Sequence, residues 1–116
     1  MEMTDEEYEF AKDFDAVVDK MTDIMVSKRK LRGTENIKRQ GLQGVVTRMA
    51  EDKLARIQKS VELLYLRGKL QQRGIPDEKV DELLPVESNT AESLEDDFID
   101  VANYAIICIL MLRGEW

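Results

Sequence analysis

The sequence predicts an all-α protein: a bundle of three long helices plus one short helix, built as a single domain over residues 1–116 and oligomeric, as a dimer or tetramer. Three observations carry this expectation. Apolar residues recur at steps of three and four along three long segments, the period of one helical face. Only two prolines and six glycines interrupt 116 residues, so those segments run unbroken. The valines and isoleucines follow the same helical spacing, and no stretch alternates as a half-buried strand would.

The first helix opens on a capping box, with Thr4 as N-cap and Glu7 three residues on. Tyr8, Ala11, Phe14, Val18, Met21 and Met25 mark one face, widened by Phe10, Val17 and Ile24. Lys28, Arg29, Lys30 and Arg32 gather near the C-terminal end, where the helix dipole favours cations, and Gly33 is the expected stop. End-capping explains these bases; phosphate binding is the other reading. Residues 33–44, with three glycines, are expected to form a long loop. They match no phosphate-cradling fingerprint.

A second long helix is expected from about Gln43 to Leu66, on the period of Val46, Met49, Ala50, Leu54, Ile57, Val61, Leu64 and Tyr65. Its polar side carries Arg48, Glu51, Asp52, Lys53, Arg56 and Lys59. Asp52 and Arg56 stand at i, i+4, where a plain surface pair is the bland reading. Arg67–Gly74 continues the helix. Asp77–Leu84 makes a short one after Pro76, and the last helix runs from a cap at Asn89 or Thr90, with Glu92 closing its box, to about Arg113, where Gly114 stops it.

Val101–Leu112 is apolar on every side apart from Asn103. A helix of that kind needs cover all round. Two other long helices are too few to supply it, so residues 101–116 are expected to pack against another copy of the chain, with Tyr104 and Trp116 in the interface. At about twelve residues the run is too short for a bilayer, which needs ~20, and no membrane association is expected.

Charge is segregated. Residues 1–25 carry a net −7, residues 26–75 a net +9 and residues 76–116 a net −9, giving −7 overall. That acidity argues against a nucleic-acid reader. With no histidine, catalytic triads and histidine-bound zinc are excluded. A lone cysteine, Cys108, and no visible signal peptide fit a cytoplasmic location.

The last helix begins with five acids, Glu92, Glu95, Asp96, Asp97 and Asp100. Acids in a first turn complement the helix dipole, which accounts for the earliest of them. Asp100 lies too far in for that and leads into the apolar run. Asp97 and Asp100, like Asp96 and Asp100, share a face that Asn103 continues. Two readings stand side by side: a solvated acidic face, or oxygens gathered around a hard cation such as Mg²⁺.

Two segments together carry a resemblance. Gly41–Ile57 reads G-x-x-G-(apolar)₂-x-R-x-x-x-D-K-x-x-R, and Glu92–Ala105 reads E-S-x-x-D-x-x-x-D-x-A-N-Y-A. The pair resembles a phage and bacterial family, the nucleotide-modification-associated domain. That family is similar to the MazG-type all-α nucleoside triphosphate pyrophosphohydrolases. The likeness covers roughly residues 20–113, with 68–87 unaligned. It implies an oligomeric helical bundle and a Mg²⁺-dependent hydrolase that splits a (deoxy)nucleoside triphosphate into a monophosphate and pyrophosphate. By that likeness, Glu51, Asp52, Asp96, Asp97 and Asp100 would hold the metal, with Asp52, Asp97 and Asp100 catalytic. Arg48, Lys53, Arg56 and Asn103 would bind substrate. The second MazG-type carboxylate pair has its counterpart in Asp97-x-x-Asp100. The first, E-x-x-E, does not: Glu51 and Asp52 are adjacent, and Asp19, Asp23 or Glu62 would have to supply the missing oxygens. A catalytically inactive helical oligomer that binds a nucleotide or a protein is the alternative.

Overall fold

A computed structural model describes residues 2–84 and 91–116, and every regular element among them is a helix. The chain forms two compact units, Met1–Arg39 and Gln40–Trp116.

The first unit is dominated by α1, Asp5–Arg32. Thr4 caps it as expected. The Thr4 hydroxyl accepts from the Glu7 amide at 3.2 Å, and the Glu7 carboxylate accepts from the Thr4 amide at 2.9 Å. Gly33, at φ 68°, closes the helix by donating to the Arg29 carbonyl. No residue of α1 is buried: Tyr8, Phe10, Phe14, Val17 and Val18 all lie exposed, and the Phe10 and Phe14 rings pair at 6.0 Å.

The expected loop over residues 33–44 is corrected by the structure. Helix α2 already begins at Glu35 and runs to Arg48, broken only at Gly41, whose backbone sits at φ 67°. Glu-Asn-Ile-Lys-Arg-Gln contains no helix breaker, so a single left-handed glycine suffices for the bend.

In the second unit, α2 passes without a stop into a π-helical segment, Met49–Leu54, and then into α3, Ala55–Gln72. A Schellman turn ends α3. Gly74, at φ 76°, donates to Gln71, and Ile75 donates to Leu70. Helix α4, Asp77–Leu83, folds back on α3 through Arg67–Asp81 at 2.6 Å and a Gln71 amide bond to Asp77 at 3.3 Å, with Val80 fully buried. Helix α5, Ala91–Leu112, packs on both the π segment and α3. A second Schellman turn ends it, with Gly114 at φ 70° donating to Met111 and Glu115 donating to Leu110. The expected cap at Asn89 or Thr90, and its closing box, lie outside the described residues.

The apolar core is small: Val45, Ile57, Val80, Ile99 and Ile107. One expectation needs correcting here. The buried line of the middle helix is displaced from the one the sequence suggests. Val45, Ile57 and Ser60 are buried, while Val46, Leu54, Val61 and Tyr65 are exposed. For Val45 and Val46, upstream, the π segment is the reason, because its i→i+5 turns take up one more residue than α turns and rotate the face. The apolar end of α5 is covered on one side only: Ile107 is 4% exposed, but Ile106, Ile109 and Leu112 are exposed within the chain.

A candidate seam of paired acids and bases

Helix α5 crosses the middle helix antiparallel, and two ion pairs fix the register. Lys53 Nζ lies 3.3 Å from Asp100, and an Arg56 guanidinium nitrogen lies 3.3 Å from Asp97. The bases stand three positions apart and so do the acids, so each pair is about one helical turn from the other. Asp97, Asn103 and Ser60 are each buried. A polar line therefore runs through the packed face, between Ile57, Ile99 and Ile107.

The two pairs differ in environment. Lys53 and Asp100 keep only 14% and 20% of their side-chain surface, so both charges are largely withdrawn from water. Arg56 is half exposed at 56%, while Asp97 keeps 7%. A buried carboxylate needs a partner, and the guanidinium supplies one from the rim.

The remaining candidates are not brought to this seam. Glu51 and Asp52 lie exposed, and with Gln40, Gln43, Gly44, Thr47 and Arg48 they line an open groove of about 550 Å³. Asp96 is exposed. Asp19 and Asp23 are exposed on α1, and Glu62 is exposed on α3. Of the five expected metal ligands, only Asp97 and Asp100 share the seam. Among the described residues no three acids or thiols come together in a way that could hold a metal ion. In number, two carboxylates meet the needs of a Mg²⁺ that arrives with phosphate oxygens and water. Asp97 and Asp100 fit that limited role; the five-residue set does not.

Sequence reasoning missed the buried Ser60 and the π turn. The π turn shows in the burial, not in the sequence: Val45, Met49, Lys53 and Ile57 stand four apart, and all four turn away from bulk solvent. In an α-helix each step of four overshoots a turn by ~40°, or ~120° over three steps. Only a locally underwound helix keeps all four on one face.

Compared with known proteins, the chain matches no protein family, no curated protein and no solved structure. No helix among the described residues is long and apolar enough to cross a membrane.

Proposed function

We propose that this chain is a helical enzyme acting on nucleotides, of the MazG-like type. More particularly, we read it as a Mg²⁺-dependent hydrolase that cleaves a (deoxy)nucleoside triphosphate to a monophosphate and pyrophosphate. One observation supports this above the rest. The two segments that carry the resemblance meet through their charged residues, Lys53 and Arg56 against Asp97 and Asp100.

In the free chain these acids and bases neutralise one another. A triphosphate offers Lys53 and Arg56 competing oxygens, and drawing either base away uncovers its carboxylate. Asp97 and Asp100 would then hold the metal. When bound, Mg²⁺ supplies phosphate charge neutralisation and a water of lowered pKa. Arg56, half exposed at the rim, is the base best placed to reach a phosphate. Arg48, on the groove, is a second. Asn103, one turn beyond Asp100 and 5% exposed, orients the seam instead of touching the base.

The second reading, a nucleotide- or protein-binding oligomer without turnover, rests on the same pairs: the acids already have protein cations. Pyrophosphate release from the deoxynucleoside triphosphates with Mg²⁺ separates the two. Release that disappears in Asp97→Asn and Asp100→Asn is the expected result. A folded protein that turns over none of the nucleotides overturns the enzyme reading, and a nucleotide-dependent rise in melting temperature would then favour the binding module. In either case we take a second copy of the chain to cover Ile106, Ile109 and Leu112, which analytical ultracentrifugation tests.

A further inference from the structure

We infer that the π segment Met49–Leu54 is a register switch, in which the adjoining part of α2 turns about its own axis by one residue. The inference stands apart from the nucleotide chemistry and holds whether or not the chain is an enzyme.

Downstream of the switch, α3 is held firmly. Arg56 pairs with Asp97, Ile57 and Ser60 are buried, and Arg67 pairs with Asp81. Upstream, Val45 is the one buried residue of α2, with Gly41 at φ 67° as a pivot. If the π turns relax to α while α3 stays in place, counting back from Ile57 at 3.6 residues per turn gives a different inward line. Lys53 keeps its place, but Ala50 and Val46 replace Met49 and Val45. Both lines are apolar. The observed one buries Val45 and part-buries Met49; the other would bury Val46 and Ala50, which are now exposed. Two apolar lines side by side on one helix, joined to a fixed neighbour by a turn that holds one surplus residue, make an element with two packings, of which the observed one has Met49 where the other has the smaller Ala50.

The exchange has a consequence at the groove. Arg48 lies ~80° from the centre of the packed face in the observed register. Turning α2 by one residue, ~100°, carries Arg48 to the back of the helix, away from the side where Lys53 and Arg56 meet α5. The switch therefore decides whether Arg48 shares a side with the other two bases.

Thiol labelling of the full chain tests this, in a Cys108→Ser background with one cysteine placed at Val45 or at Ile57. Ile57→Cys reports opening of the fixed face. The expected result is that Val45→Cys reacts about tenfold faster than Ile57→Cys, because it is released by a local turn. Adding Val46→Lys, a change at a position exposed in the observed register, should slow Val45→Cys to the Ile57→Cys rate, since a lysine cannot take the inward place. Deleting Ala50 removes the surplus residue and should slow it likewise. Equal rates for Val45→Cys and Ile57→Cys overturn the switch. So does a fast Val45→Cys that Val46→Lys leaves unchanged, which would mean simple fraying of α2.

Discussion

The ammonium of Lys53 stands 3.3 Å from the carboxylate of Asp100, with both side chains mostly out of water. Removing one charge strands the other in a poorly solvated place, and removing both does not. Lys53→Met and Asp100→Leu should each lower stability by about 1–3 kcal/mol. The double variant should recover most of that loss. Urea unfolding midpoints, read at unchanged slope, measure it; a double variant as unstable as the sum of the singles would mean that the pair contributes no coupling.

Arg56 and Asp97 form the less protected pair, with the guanidinium on the rim. Truncating Arg56 lets water reach Asp97, so Arg56→Ala should cost about 1 kcal/mol or less in stability. Its effect on chemistry should be larger. If the base meets phosphate charge in the transition state, pyrophosphate release should fall by about 100-fold. Comparing turnover with the unfolding midpoint separates the two roles, and equal loss in both would assign Arg56 a structural part only.

Val80 ties the short helix α4 to α3 and is fully buried. Val80→Ala deletes two methyl-sized groups from a small core and should destabilise by about 2 kcal/mol. Hydrogen exchange should show the loss concentrated in α4 if that helix opens on its own, and spread through α3 and α5 if the unit unfolds as a whole.

Gly114 ends α5 at φ 70°. A Cβ there meets no neighbouring atom within 4 Å, so the cost of Gly114→Ala is the left-handed backbone alone. The expected loss is about 1 kcal/mol, seen as a lower melting temperature with an unchanged helical spectrum.

Local chemistry was legible in the chain. Thr4 and Glu7 cap α1, and Gly33, Gly74 and Gly114 end three helices, because caps and left-handed glycines depend on residues a few places away. The meeting of Lys53 and Arg56 with Asp97 and Asp100 was only half legible. The residues could be named from their spacing, but the same spacing also suited Glu51, Asp52 and Asp96, which lie outside the seam. The loop expected over residues 33–44 failed because three glycines in twelve residues suggested three breaks, and only Gly41 makes one inside the helix.

By itself, then, the sequence determined that this protein is helical, where α1 begins, where α1, α3 and α5 end, and that acids stand on its last helix and bases in its middle. Tertiary structure decided which side of the middle helix meets those acids. Helical periodicity assumes a constant turn, and the π segment breaks that assumption between Met49 and Leu54. One surplus residue is enough to bring Val45 and Met49 onto the face that holds Lys53 and Ile57, and to leave Val46 and Ala50 in solvent. That rotation is fixed by packing against α5, a partner about fifty residues away in sequence, and no local pattern in the middle helix records it.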